Sequence, residues 1–126
     1  MAMNTIEETN LFAHFESPHH RGRLADPTCG HLERNALCGD WVRLELRLNE
    51  AARIEAAYFE GGGCVISQAA SSLLCEHIEG RSLSDLATFM VADMLNLIDI
   101  PLVIRRQRCG LLAFRALKII VYSHII

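Results

Sequence analysis

Three of the five cysteines in this 126-residue chain lie where one predicted element gives way to another. Cys38 precedes a predicted strand, Cys64 lies between three glycines and a predicted helix, and Cys109 follows an arginine-rich turn. Loops at element junctions are where a rigid fold presents side chains to a ligand. Thiolates bind metals and attack sulfur, so these three residues predict a metal or sulfur site.

The surroundings of two of these cysteines favour the reactive thiolate. We expect Cys64 and Cys109 at helix N-termini, where the helix dipole and unpaired N–H groups stabilise negative charge. Three arginines add positive charge close to the second of these cysteines, at Arg105, Arg106 and Arg108. The glycine run 61–63 allows the backbone to approach a metal or sulfide closely, because glycine has no Cβ.

A carboxylate completes the predicted ligand set. Asp40 follows Cys38 by two residues and offers an oxygen ligand. Three thiolates and one carboxylate suit tetrahedral zinc, and they also suit an iron–sulfur cluster held one thiolate short of the usual four. A hard carboxylate should bind iron less firmly than a thiolate, which suits a protein that gives its cluster away. The predicted site is Cys38, Asp40, Cys64 and Cys109.

The remaining cysteines and a histidine group have simpler explanations. Cys75 falls inside a predicted helix and is interpreted as a packing residue. Cys29 is interpreted as a loop thiol, with a spare sulfur acceptor as the alternative. His19, His20 and His31 lie in the same predicted loop. Imidazoles can bind metal, but a solvated loop is the commoner explanation.

Composition limits the class of protein. Hydrophobic residues make up 51% of the chain and charged residues 21%, which is typical of a folded domain, and we expect one domain over 1–126. The net charge of −3 argues against nucleic-acid binding, and no apolar run is long enough to cross a bilayer. The acidic start lacks a signal or transit pattern, and five cysteines fit no disulfide framework. We therefore expect a cytoplasmic protein.

The strands come first. Residues 41–49 alternate apolar and charged side chains, which predicts a half-buried strand. Residues 53–60 predict a second strand, joined to the first by a short hairpin link and broken by the glycine run. Ile54, Ala56 and Tyr58 should share one of its faces. Residues 17–37 hold two of the three prolines and several charges, which indicates an extended, mobile loop.

The helices surround and follow the strands. Thr5 and Glu8 form a capping-box pattern, which predicts a helix over 5–16 that ends at Ser17-Pro18. Later helices are predicted over 65–78, 82–90 and 91–98, and a last helix should begin near Cys109-Gly110. This order predicts an α+β fold, with a small antiparallel sheet of about three strands packed against several helices.

These motifs together resemble a known family. Cys38-Gly39-Asp40, Gly63-Cys64 before a small-residue helix, and the later Cys109 resemble the U-type iron–sulfur cluster scaffolds, over roughly residues 10–118. That family includes the Isc-type scaffold, the Suf-type sulfur acceptor and the N-terminal part of the Nif-type scaffold. Further matching segments are His14-Phe15, Ser17-Pro18, Gly22, Phe59-Glu60-Gly61 and Glu79-Gly80-Arg81-Ser82-Leu83.

The resemblance implies a function and partners. It implies that Cys38, Cys64 and Cys109 hold a cluster or zinc and accept sulfur, and that loss of Asp40 hinders cluster release. Members take persulfide sulfur from a cysteine desulfurase, assemble a transient [2Fe–2S] cluster and pass it to apo-proteins or carriers. We therefore expect a non-enzymatic scaffold, on a small sheet packed against helices.

Two departures keep an alternative open. Isc-type members have His where this chain has Arg108, which is closer to the Lys of Suf-type members, yet the Suf-type insertion is missing. The alternative is a zinc-bound sulfurtransferase that accepts persulfide from a desulfurase, and a third class is a structural zinc domain. The chain also lacks the Leu-Pro-Pro-Val-Lys motif, which argues against recognition by the dedicated Hsp70-type chaperone.

Overall fold

Three antiparallel strands form one sheet in the order β1-β2-β3. The computed structural model describes residues 13–16, 19–37 and 39–125, with residues 105 and 125 described by backbone alone. The strands are β1 (Cys29–Arg34), β2 (Trp41–Leu48) and β3 (Ile54–Gly62). The helices are α1 (13–16), α2 (Val65–Ile78), α3 (Leu83–Leu86), α4 (Val91–Ile98), α5 (Ile104–Gly110) and α6 (Leu112–Ile125). The predicted α+β class and three-stranded antiparallel sheet are confirmed.

Strand β2 supplies the centre of the core. Val42, Leu44 and Leu46 are fully buried, as their alternation with polar residues predicted. Helix α2 packs against β3, and α6 packs against β1 and β2, so one face of the sheet is covered by helices. Strand pairing and burial of this face hold the start of β2 and the end of β3 side by side, where the candidate site lies.

The residues of strand β3 are distributed over its two faces differently from the prediction. Its bounds are close to 53–60, but the register shifts between Arg47 and Leu48. Beyond this irregularity Phe59 pairs with Leu44 and is fully buried, whereas Tyr58 is only half-buried. The prediction that Ile54, Ala56 and Tyr58 share one face was wrong. The β-bulge changes the phase of the alternation, so Ile54 lies on the same face as Phe59, and Ala56 and Tyr58 lie on the other.

The predicted loop 17–37 contains a strand, so that interpretation was wrong in part. Strand β1 pairs with β2 along its length, from Cys29 opposite Leu46 to Arg34 opposite Trp41. Its sequence CGHLER shows little alternation of apolar and polar residues, so no strand was predicted. Strand β1 lies at the edge of the sheet, where backbone hydrogen bonds to β2 on one side hold it in place. His20, earlier in the same segment, is buried and its Nε2 lies 2.9 Å from Glu79 Oε1.

Helices α2 to α4 follow the predictions closely. Helix α2 has the predicted bounds 65–78 and ends at Glu79, followed by Gly80 at φ +88°. Ser82 caps α3 by accepting a hydrogen bond from the Asp85 N–H at 3.1 Å, although α3 is shorter than the predicted 82–90. Helix α4 covers the predicted 91–98.

The last helix begins close to the predicted position, but the sequence did not indicate the separate helix that precedes it. Helix α5 already begins at Ile104 and places Cys109 in its last turn, and α6 begins only at Leu112. Arginine and glutamine are good helix formers, so the segment RRQR continues a helix and does not form a turn. In the predicted helix 5–16, residues 13–16 are helical; the Thr5–Glu8 cap and the Ser17-Pro18 stop lie outside the described residues.

No helix in the described part of the chain combines the length and apolar character needed to span a membrane.

Candidate metal centre

Three predicted site residues converge at one end of the sheet. Asp40 immediately precedes β2, Cys64 immediately precedes α2, and Cys109 lies in the last turn of α5. One ligand-type atom from each lies within 4.8 Å of the other two. The fourth predicted residue, Cys38, lies outside the described residues. Sulfur and oxygen atoms at these separations can share one small metal ion or cluster.

Asp40 is buried with half of its carboxylate unpaired. The side chain is only 4% exposed, and its Oδ1 accepts a hydrogen bond from the Cys64 N–H at 3.1 Å. Its Oδ2 is buried and has no hydrogen-bond partner among the described residues. A buried carboxylate oxygen without a partner is costly. A cation beside the two sulfur atoms would remove that cost, so the donor set fits a metal.

Gly63 allows Asp40 to approach the Cys64 backbone. Its φ is +106°, a conformation that favours glycine, and a Cβ there would lie 2.1 Å from Asp40 Oδ1. Here the close approach is to the Asp40 carboxylate; the predicted approach of the glycine backbone to a metal or sulfide stays a prediction. Gly61 and Gly62 belong to β3, so the prediction that the glycine run breaks the strand holds only for its last member.

Cys64 is the N-cap residue of α2, as predicted. Its side chain is half-buried, and the guanidinium Nη1 of Arg106 donates a hydrogen bond to its Sγ at 2.9 Å. Positive charge was predicted beside Cys109, and the structure brings part of it to Cys64. The signal was available in the spacing, because Arg106 and Cys109 are three residues apart and lie on the same face of one helix.

Cys109 is 5% exposed and lies at the C-terminal end of α5. The prediction that it begins a helix was wrong, so the N-terminal helix dipole does not favour its thiolate. Its position depends instead on packing around the next residue, Gly110. A Cβ at Gly110 would lie 3.0 Å from a side-chain carbon of Ile98 and 3.4 Å from one of Leu102, so the helix backbone lies close to both side chains. Packing of α5 against α2 and α4 therefore fixes the place of this thiol.

The three residues lie in a cavity of about 690 Å³. Two of its lining residues are strongly exposed apolar side chains, Leu37 at 77% and Ile104 at 76%. Arg106 and Arg108 supply the cationic part of the wall. The cavity has room for a small inorganic cluster.

The other cysteines lie away from this centre. Cys75 is fully buried in α2, and burial together with the nearby Glu79 carboxylate raises the pKa of its thiol far above the usual value. Cys29 pairs with Leu46, toward the opposite end of β2 from Asp40, and burial raises its pKa. Both observations favour thiols that stay protonated.

The three histidines were interpreted as belonging to a solvated loop, and this interpretation was wrong for His20, which is buried. His20 is buried against Glu79, and His31 Nε2 lies 3.8 Å from Glu33 Oε1 on the edge strand. His19 contacts the ring of His20 edge-on. Among the described residues, no metal-type cluster contains a histidine.

The chain forms a small α+β domain with a three-stranded sheet. A buried carboxylate and two thiols at one end of this sheet form a candidate metal site. The chain matches the family described as the NifU-like N terminal domain over residues 6–124. This match covers most of the chain, so the protein belongs to that family. The resemblance that the cysteine motifs indicated is confirmed.

Relatives with assigned functions include scaffolds and a sulfurtransferase. The iron–sulfur cluster assembly scaffold protein IscU of Azotobacter vinelandii is 35% identical over 116 residues, covering 88% of this chain and 89% of the relative. IscU of Thermotoga maritima is 31% identical over 114 residues, covering 78% and 80%. The zinc-dependent sulfurtransferase SufU of Bacillus subtilis is 32% identical over 81 residues, covering 64% and 54%.

Solved structures share the fold. A protein described as an iron–sulfur cluster assembly scaffold for the SUF system, from Fervidobacterium islandicum, superposes with a TM-score of 0.74 at 24% identity, covering 87% of this chain and 92% of that one. The N-terminal part of a nitrogen-fixing NifU-like protein from Brucella abortus gives a TM-score of 0.74 at 18% identity, covering 98% and 99%. At these identities the comparison concerns the fold alone.

Proposed function

We propose that this protein is an iron–sulfur cluster assembly scaffold, with the cluster as its cargo. The observation that carries the proposal is the convergence of Asp40, Cys64 and Cys109 within 4.8 Å, around a buried carboxylate oxygen without a partner. Homology to named IscU scaffolds at 31–35% identity over most of the chain supports the same function. In this proposal residues 1–126 act as one domain.

The proposed ligand set is three thiolates and one carboxylate. Cys38 joins Cys64, Cys109 and Asp40, because it lies only two residues before Asp40 in the chain. Thiolates bind the iron of a [2Fe–2S] cluster firmly, and four of them are usual. One oxygen ligand in place of a fourth thiolate weakens the grip, so that a recipient can remove the cluster.

The sulfur is proposed to come from a cysteine desulfurase. A thiolate of the site attacks the outer sulfur of the desulfurase persulfide, and the desulfurase cysteine leaves as a thiolate. The new persulfide sulfur needs two electrons from a separate thiol or ferredoxin-type donor to become sulfide. Apo iron–sulfur proteins or carriers then receive the cluster. This chemistry needs reduced thiols, which fits the proposed cytoplasmic location.

The second candidate is a zinc-bound sulfurtransferase. Similarity to the zinc-dependent sulfurtransferase SufU favours it, and so does Arg108 at the position before Cys109. Zinc accepts sulfur and carboxylate ligands in tetrahedral geometry, so the same four residues could hold it. The difference lies in the product: a scaffold releases an assembled cluster, whereas a sulfurtransferase raises the turnover of the desulfurase and passes on sulfur alone.

One anaerobic experiment separates the two candidates. The protein is incubated with iron, cysteine, a reductant and a cysteine desulfurase, and then mixed with an apo-ferredoxin. The scaffold proposal expects a visible spectrum of a [2Fe–2S] cluster that moves to the ferredoxin. Firmly held zinc, no cluster and faster desulfurase turnover would support the sulfurtransferase instead. If the protein neither forms a cluster nor raises desulfurase turnover, the result contradicts both candidates.

A further inference from the structure

The Gly63–Cys64 peptide is held from two sides. Toward the site, the Cys64 N–H donates to Asp40 Oδ1 at 3.1 Å. On the other side, the Gly63 carbonyl accepts a hydrogen bond from Gln68 Nε2 at 3.1 Å. The two bonds fix both polar groups around one left-handed glycine, and they therefore set the direction in which the Cys64 side chain leaves the backbone.

The Gln68 amide is itself fixed by Arg21. Arg21 Nη1 donates to Gln68 Oε1 at 2.7 Å. A guanidinium can only donate hydrogen bonds, so it binds the oxygen end of the amide and turns the nitrogen end toward Gly63. The Arg21 side chain determines which end of the amide faces the Gly63–Cys64 peptide.

Arg21 is anchored in turn by the start of the described chain. Its Nη2 donates a hydrogen bond to the backbone carbonyl of Phe15 in α1. The guanidinium carbon of Arg21 also lies 5.3 Å from the ring centroid of Phe15 and 5.3 Å from that of Phe59. Cation–π contacts of this kind restrain a guanidinium that is partly shielded from water. A continuous series of contacts thus leads from α1 through Arg21 and Gln68 to Gly63.

We propose that Arg21 and Gln68 are positioning residues for the metal centre, and that they hold the Gly63–Cys64 peptide in the orientation that directs Cys64 into the site. The inference rests on the proposed metal-binding function. It predicts that a break in the series alters the site while the fold stays intact, since Gln68 lies on the surface side of α2 and contributes little to the core. The apolar core beneath it is formed by other residues of the same helix.

Two variants of Gln68 test the proposal. Gln68→Glu retains an acceptor for Arg21 but replaces the donor to the Gly63 carbonyl with a second acceptor, and Gln68→Met removes both bonds at similar size. The matched control is Glu76→Gln. Glu76 also joins α1 to α2, through His14 at 3.4 Å, and does not touch Gly63.

Three readouts separate positioning from general stability. The first is Co²⁺ affinity with the thiolate-to-Co²⁺ absorption spectrum, the second is amide hydrogen exchange at Cys64 in metal-free protein, and the third is metal-free thermal unfolding. We expect both Gln68 variants to lose about three- to tenfold in Co²⁺ affinity, the value of one hydrogen bond. We also expect both Gln68 variants to show a shifted Co²⁺ spectrum and faster amide exchange at Cys64. The unfolding temperature of Gln68→Glu should stay close to wild type. Glu76→Gln should match wild type in Co²⁺ binding and in Cys64 exchange.

The outcomes that overturn the proposal are distinct. Wild-type spectrum, affinity and Cys64 exchange in both Gln68 variants would show that the series does not position the site. Equal losses in Glu76→Gln would show general loosening of the N-terminal contacts. Failure of the wild type to bind Co²⁺ would contradict the proposed metal-binding function, and this inference with it.

Discussion

At the residue scale, Asp40 combines two properties that rarely occur together. One carboxylate oxygen caps the backbone before α2, and the other is buried with no partner among the described residues. The first property gives the side chain a fixed orientation, and the second gives it unused capacity to bind a cation. An aspartate with only a structural role would pair both oxygens or expose one to water.

Asp40→Cys should slow cluster transfer. The substitution offers a fourth thiolate in place of the weaker oxygen ligand, so the cluster should be held more firmly. The rate of transfer from reconstituted protein to apo-ferredoxin, followed by visible absorption, measures the effect. We expect a several-fold slower transfer than from wild type. Equal or faster transfer would contradict the role of Asp40 as the weak ligand.

Cys75 should resist alkylation in the folded, metal-free protein. Its thiol is fully buried and its pKa is raised by burial and by Glu79, so it lacks both access and the reactive thiolate. Half-buried Cys64 should react with iodoacetamide before Cys75 does, as measured by peptide mass spectrometry over time. Urea-unfolded protein is the control, in which both should react. Native labelling of Cys75 as fast as Cys64 would contradict its packing role.

At the scale of elements, the site depends on a short turn between β3 and α2. Strand β3 carries the glycines up to the point where the chain must turn, and α2 begins directly after Cys64. The turn works only because Gly63 adopts a positive φ beside the Asp40 carboxylate. Backbone conformation, more than side-chain packing, therefore brings the Cys64 thiol to Asp40.

Gly63→Ala should destabilise the protein more than Gly80→Ala. Both glycines have positive φ, which should cost an alanine about 1–2 kcal/mol. At Gly80 an added Cβ meets nothing within 4 Å, whereas at Gly63 it would overlap Asp40, adding about 1–3 kcal/mol. Urea unfolding of the metal-free variants measures the difference. Equal losses would mean that the close approach to Asp40 has no energetic consequence.

The strongest sequence patterns predicted their elements well, and the weak ones did not. Strand β2 and helix α2 were predictable because alternation and a glycine stop are local signals. Strand β1 was not, since backbone pairing with β2 holds an edge strand whose side chains carry no clear period. The inner face of β3 was missed because a bulge is invisible in its own sequence. Cys109 was placed at the wrong end of a helix because α5 begins after Val103, which has no capping side chain, so no local signal marks the start of this helix.

The sequence indicated three of the residues that the structure brings together, but not the contacts that hold them; the assignment of Cys38 to the site stays a prediction. The spacing of Asp40, Cys64 and Cys109 indicated one site, and the structure brings these three together. The link from Arg21 through Gln68 to Gly63 joins residues that are far apart in the chain, so no local pattern could indicate it. Such contacts follow from tertiary structure: α1 meets α2 through His14 and Ser72, and Arg21 lies between the Phe15 and Phe59 rings.

At the scale of the whole molecule, helix α4 and the residue Phe89 before it pack beside the end of α2 that lies farthest from the site. His77, in the last turn of α2, lies there with its ring 5.3 Å from that of Phe89. Burial, and then the nearby Arg81 charge, lowers its pKa, while Asp93 has a smaller opposing effect. The folded state therefore binds a proton at His77 less readily than the unfolded chain does.

His77 should make the protein less stable as the pH falls below about 6.5. Above that pH the imidazole is neutral in both states, and below it the unfolded chain takes up the proton first, which favours unfolding. His77→Gln should remove this part of the acid sensitivity. Urea midpoints at about pH 7.5 and about pH 5.5 test it. An identical fall in the midpoint for wild type and variant would contradict the lowered pKa.

The most direct test of the central claim is the iron and sulfide content after anaerobic reconstitution, compared among cysteine variants. The claim is that one centre, formed where β2, α2 and α5 meet, holds the cluster. We predict that Cys64→Ser and Cys109→Ser lose the cluster and that Cys29→Ser and Cys75→Ser retain it. Full cluster content in Cys64→Ser and Cys109→Ser, or its loss only in Cys29→Ser or Cys75→Ser, would contradict the account.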